Sequence, residues 1–165
     1  MNEKETKDLE DFLSNPNENF ETFKKNFEID DELEPFHVYA SEVIARKRAK
    51  AKEEGKNYRF YNSNQIFIRA NIKERYGYKL LERKDQLGNK RDIVFWIAYA
   101  AGFSVQEVNR ALKCAGFSPL YIKDKRDAFL YYCFKTRINS FDVDDLDEKL
   151  IENGFTPLDT VGKDM

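Results

Sequence analysis

The C-terminal half of this 165-residue chain repeats itself, and a repeat constrains architecture more tightly than any composition does. Arg91-Asp92 opens an apolar stretch through Phe95, Trp96, Ile97 and Tyr99, and the unit closes on Gly116-Phe117-Ser118-Pro119-Leu120. Arg126-Asp127 opens a second stretch, Phe129-Leu130-Tyr131-Tyr132 to Phe134, which closes on Gly154-Phe155-Thr156-Pro157-Leu158. In between, Phe103, Val105, Val108 and Leu112 match Phe141, Val143, Leu146 and Leu150. About nine of roughly thirty aligned positions are identical, with about three residues inserted in the second copy. Each unit reads as a helical hairpin. Gly116 and Gly154 stand where a left-handed residue closes a helix, and Leu112 and Leu150 stand where a Schellman closure puts the partners of Phe117 and Phe155. Pro119 and Pro157 then keep the helix from resuming. A duplicated unit of this size is a scaffold, because packing instructions come in pairs far more often than catalytic groups do.

The rest of the chain also reads as helix. Val38 to Glu54 has an apolar stripe of Tyr39, Val43, Ile44 and Ala51, with Gly55 as terminator. Asn62-Ser63-Asn64 offers an N-cap for a short buried helix around Ile66, Phe67 and Ile68. After a turn near Asn71, Lys73 to Lys84 forms a third helix with Tyr76, Leu80 and Leu81 inside, ended by Gln86-Leu87-Gly88-Asn89. Strand signals are weak throughout, so the expected fold is all-α: a helix-turn-helix-like orthogonal bundle followed by two repeated helical hairpins. The expected organisation is an acidic aromatic arm over 1–34 and one domain over 35–165. That domain divides into a helix-turn-helix-like part, 35–90, and the duplicated hairpins, 91–158.

Charge is unevenly spread. The formal net charge is -2, yet residues 46–91 carry 15 Lys and Arg against 5 Asp and Glu, while residues 1–45 carry 4 against 13. A basic middle flanked by acid points to a polyanion-facing surface or to an internal electrostatic mask; a solvated charged helix is the plain alternative. The arm pairs its acids with Leu9, Phe12, Leu13, Phe20, Phe23 and Phe27, an apolar set expected to anchor it on the helical body. Docked there, either the aromatic face completes the core and the acids stay solvated, or the carboxylates compete with a polyanion for the basic 46–59 segment.

Catalysis has few parts to draw on. His37 is the one histidine, which removes histidine-based metal sites and most His-dependent acid–base arrangements. Asp142, Asp144, Asp145, Asp147 and Glu148 miss calcium-loop spacing, since Leu146 occupies a ligand position and no glycine follows; carboxylates at a helix N-terminus account for them. Neither a Walker A sequence nor a dinucleotide fingerprint is present. The expectation is a protein that is not an enzyme and needs no metal or cofactor. Cys114 and Cys133 sit in apolar patterns and form no repeated pair, Met1-Asn2-Glu3-Lys4 starts no signal peptide, and no apolar run is long enough to span a bilayer. A cytoplasmic protein is expected, with no membrane partner.

DNA reading by a helix-turn-helix needs long hydrogen-bonding side chains on one exposed helix face and cations nearby to hold phosphates. On the third helix Lys73, Arg75, Tyr78, Lys79 and Arg83 supply that face, and Arg46, Lys47, Lys50 and Arg59 lie on neighbouring elements. Gly77 sits mid-helix, where it lowers intrinsic stability. The leading expectation is a DNA-binding transcriptional regulator acting on double-stranded DNA, as a homodimer if it reads paired half-sites. The alternative is a protein–protein interaction or signalling adaptor module that uses the scaffold without reading DNA. A third reading is RNA binding, with Tyr58, Arg59, Phe60 and Tyr61 stacking and clamping single strands.

From about Phe36 to Leu158 the chain resembles a group of small Firmicutes proteins with a Cro/C1-type (XRE-like) helix-turn-helix. The resemblance rests on Tyr76-Gly77-Tyr78, Lys90-Arg91-Asp92, Leu120-Tyr121 and Lys125-Arg126-Asp127, in that order. It implies a helix-turn-helix with a regulator-type function. The chain departs from the group at Arg83-Lys84-Asp85 and Asn89-Lys90-Arg91, where members carry a glycine and a Pro-Ser-Arg. Ala70-Asn71-Ile72 also lacks the glycine usual in this turn of Cro-like repressors.

Overall fold

Eight consecutive buried residues, Ile93 to Ala100, make a helix that must lie inside the protein, because no face of it is polar. In the computed structural model, which describes residues 33–84, 86–137 and 140–158, this helix is α4 (Asp92–Ala100). Around it run α1 (Phe36–Glu53), a 3₁₀ turn (Tyr58–Tyr61), α2 (Ser63–Ala70), α3 (Glu74–Glu82), α5 (Val105–Cys114), α6 (Lys125–Thr136) and α7 (Val143–Glu152). Among the described residues the protein is all-α, with no strand. α1 packs on the 3₁₀ turn, α3 and α5, while α4 packs on α2, α5 and α7. The apolar arm residues from Leu9 to Phe27 lie outside the described residues.

The closures expected from the two glycines form. Gly116 and Gly154 take φ of +83° and +80°. The Phe117 N–H donates to the Leu112 carbonyl at 2.8 Å and the Gly116 N–H to Lys113 at 2.9 Å; Phe155 to Leu150 and Gly154 to Ile151 give the same pattern at 2.9 and 3.0 Å. A Cβ costs about 1–2 kcal/mol in this backbone region. Gly154→Val should therefore lower unfolding free energy by at least that much in urea titrations, without an altered helix content in the folded baseline.

Equivalent polar contacts follow. The Asn109 side chain accepts from the Leu120 N–H and the Asp147 side chain from the Leu158 N–H, each at 2.9 Å. Packing differs between the units, however. α4 and α5 pack on each other, whereas the close backbone approaches of α7 are to α2 and α4 rather than α6. α6 instead meets the second closure through Phe129, stacked on Phe155 with ring centroids 5.4 Å apart.

The Arg-Asp pairs explain how the units are held. Arg91 and Asp92 are neighbours in the chain, yet each pairs with a residue of the other unit. Arg91 forks onto Asp127 with two 2.9 Å bonds, and Arg126 forks onto Asp92 at 3.1 and 2.9 Å. Each arginine also donates to the closing segment of its own unit: Arg91 to the Ser118 and Pro119 carbonyls, Arg126 to those of Thr156 and Pro157.

Two further arginines stop the other end of α4. Arg69 donates to the Ala100 carbonyl at 2.9 Å, and Arg137 to the carbonyls of Tyr99 and Phe103. Cations at a helix C-terminus meet the negative end of its dipole. Arg137 lies among the Tyr99, Phe134 and Phe141 rings, and burial pushes its pKa down to about 10.

Candidate nucleic-acid interface

α3 takes its place from both of its ends. At its start, α2 closes on Asn71, which adopts the left-handed conformation (φ 54°, ψ 45°). Asparagine visits that region more readily than other residues with a Cβ, so the turn forms without the glycine usual in Cro-like repressors. Lys73 stands at the N-cap with extended backbone, and the helix runs Glu74–Glu82, starting one residue later and ending two residues earlier than the expected Lys73–Lys84. At its far end the Ser41 hydroxyl donates to the Leu81 carbonyl at 2.8 Å, tying α3 to α1. Arg83 has left the helix (φ -121°, ψ 140°).

Gly77 carries a reason that sequence alone does not supply. It is buried against Phe67 of α2, and a Cβ there would lie 2.6 Å from the Phe67 Cγ. The glycine lets α2 and α3 approach. Helix propensity alone favours Gly77→Ala by about 1 kcal/mol, but overpacking costs about 1–3 kcal/mol. We expect Gly77→Ala to be net destabilising by thermal melt; a rise in Tm would mean that the Phe67 ring gives way freely.

Arg75, Tyr78, Lys79, Glu82 and Arg83 line one shallow groove of about 470 Å³. Helical spacing puts Arg75, Tyr78, Lys79 and Glu82 on a single stripe, opposite the buried Tyr76, Leu80 and Leu81, and Arg83 joins them from the extended residue after the helix. Tyr78 leans edge-on against Phe67, with centroids 5.1 Å apart, and keeps part of its ring exposed. Arg75 and Arg83 are exposed and Lys79 half-buried. These three cations have no carboxylate partner among the described residues. Lys73, at the head of the helix, is exposed too. Glu82 was not among the candidates from sequence, and it brings one negative charge to the groove.

The flanking candidates divide differently. The run from Arg46 to Lys52 reads as one basic block, but 100° of rotation per residue distributes it around α1. Lys47 is committed: its ammonium lies 2.9 Å from Glu107, whose carboxylate also accepts from the Ser104 N–H at the head of α5. Burial opposes ionisation of Glu107, yet these partners hold its pKa below the usual value. Arg48 turns inward and donates to the Tyr61 carbonyl at 2.9 Å. Lys47 and Lys50 border a second groove, with Phe60, Tyr61 and Phe141, that shares no residue with the one on α3. Arg46 and Arg59 are exposed and line neither groove, Arg59 standing over the Tyr58 ring at 5.8 Å. The quartet proposed to clamp single strands is likewise divided, Tyr58 and Arg59 on one side, Phe60 and Tyr61 in the second groove.

His37 lies half-buried in the first turn of α1. Among the described residues no three His, Cys, Asp or Glu side chains converge on a metal-sized site, and no helix is long and apolar enough to cross a membrane. Cys114 and Cys133 are not joined in a disulfide, and burial raises the pKa of Cys133. No protein-family model, curated protein or solved structure matches this chain.

Proposed function

We propose that the protein binds double-stranded DNA through α3, as a helix-turn-helix regulator does. The observation that carries this reading is the single stripe of Arg75, Tyr78, Lys79 and Arg83. It presents cations that form no ion pair among the described residues, on α3 and the residue that follows it, held after a short turn from α2. Arginine and lysine on such a face supply phosphate contacts and bidentate contacts to guanine, and Tyr78 adds a hydroxyl at the same edge. The resemblance to Cro/C1-type proteins, which rests on Tyr76-Gly77-Tyr78, Lys90-Arg91-Asp92, Leu120-Tyr121 and Lys125-Arg126-Asp127 taken together, points the same way. Glu82 within the stripe repels phosphate and accepts hydrogen bonds from cytosine, so it favours sequence preference over indiscriminate binding.

The test is fluorescence anisotropy of a labelled random duplex at low salt, followed by selection from a randomised pool. Saturable, salt-sensitive binding supports the reading. Absence of binding to both random and selected duplexes removes it.

A second reading, a protein-interaction module, is favoured by large apolar side chains left in solvent: Ile68 is 68% exposed, Ile122 65%, and Tyr132 and Ile151 59% each. Exposed apolar surface of this kind marks interaction sites when it is contiguous. Under this reading Ile122→Lys or Tyr132→Lys abolishes capture of a partner and leaves duplex binding unaffected.

A further inference from the structure

The second groove, bordered by α1 and the 3₁₀ turn, combines features that the proposed DNA contact does not use. It measures about 420 Å³, within the range of small-molecule sites. Its aromatic side is built from Phe60, Tyr61 and Phe141, with Phe60 edge-on to Tyr61 at 5.0 Å and to Phe141 at 4.9 Å. That side is held firmly. The Arg69 guanidinium lies 3.6 Å from the Phe60 ring centre while bonded to Ala100, and Arg48 holds the Tyr61 carbonyl.

The rim is cationic, with Lys47, Lys50 and Lys56 against the single acid Glu54. Lys47 is directed by Glu107, and Lys56 meets Glu54 at 3.1 Å in a largely exposed pair. A surface pair of that kind is worth little, so Lys56 can turn to another anion at small cost. Lys50 is exposed and has no ion pair among the described residues. Asn57 adds an amide that both donates and accepts.

We propose that this groove binds a nucleoside phosphate, its base against Phe60, Tyr61 and Phe141 and its phosphate between Lys50 and Lys56. The charge selects an anion, and the aromatic side selects one that carries a planar ring. A groove of this volume accepts one nucleotide rather than a duplex. Two sources share this chemistry, a free nucleotide and an unstacked nucleotide of a single strand. The site has no residue in common with the α3 groove, so either assignment stands if the other fails.

Calorimetric titration of the full chain with AMP, adenosine, inorganic phosphate and a dA hexamer tests the proposal. AMP should bind at least ten-fold more tightly than adenosine or phosphate alone. Lys50→Glu/Lys56→Glu should weaken AMP binding at least ten-fold, with an unchanged circular dichroism spectrum because both side chains are exposed. Arg75→Glu/Lys79→Glu should leave AMP binding as it was. A hexamer that outcompetes AMP and loses affinity in the same rim variant identifies a single strand as the source; equal affinity identifies the free nucleotide. AMP binding no tighter than phosphate, or unmoved by the rim variant, overturns the proposal.

Discussion

Arg91→Ala is expected to lower the unfolding free energy by about 3 kcal/mol, as denaturant titration will read it. Removing one partner of a buried ion pair costs about 3–5 kcal/mol because the other charge is left uncompensated. Asp127 is 7% exposed, while part of Arg91 reaches solvent, which places the effect at the lower end. The loss extends beyond the pair, since Arg91 also satisfies the carbonyls of Ser118 and Pro119. Arg126→Ala should cost less, because Asp92 is the more exposed carboxylate. A double-mutant cycle over Arg91 and Asp127 should show coupling of at least about 1 kcal/mol; additivity would mean that the pair is incidental.

The same pair sets an acid limit. Burial alone would raise the pKa of Asp127, but Arg91 and the Tyr121 N–H outweigh it and hold the carboxyl below its ordinary value of 3.8. A depressed folded pKa means that the unfolded chain takes up the proton first as pH falls. The stabilisation is therefore complete above about pH 4 and is lost as pH drops towards the folded pKa. Wild type should lose stability in that window more steeply than Asp127→Asn, which has no carboxylate at this position to protonate. Parallel acid limbs would assign the limb to other carboxylates.

The largest effect on binding is expected from Arg75→Glu/Lys79→Glu. Each phosphate contact contributes about 0.9 to the slope of log K against log salt, so two lost contacts reduce the slope by about two units. At about 0.1 M salt that amounts to a loss on the order of 100-fold in duplex affinity, before the added repulsion. The folded state should tolerate the change, because Arg75 is exposed, Lys79 half-buried, and neither has a carboxylate partner among the described residues. Equal affinity and equal slope in wild type and variant would move any DNA contact away from α3.

How much of this was legible in the sequence depends on the range of the interaction. Helical periodicity, the two glycine closures and the apolar run of α4 act over a few residues, and they announced an all-α chain and most of its core. Sequence-local signals also marked Arg75, Tyr78 and Lys79 as one face, because a helix repeats every 3.6 residues wherever it lies. The ends of elements were less legible. Arg83 continues the α3 pattern, yet its backbone is extended.

Pairing across the chain was decided by packing alone. Arg91-Asp92 and Arg126-Asp127 are visible as motifs, but nothing local tells each arginine to take the other unit's aspartate. The basic block of α1 looked uniform until Glu107 of α5 claimed Lys47 and the 3₁₀ turn claimed Arg48. Gly77 looked like a weakness in a helix until Phe67 was brought against it. Local preference depends on neighbours a turn or less away, and the sequence contains those directly. Ion pairing, burial and close approach depend on which distant side chains the core brings together, and that becomes definite only once the helices are packed.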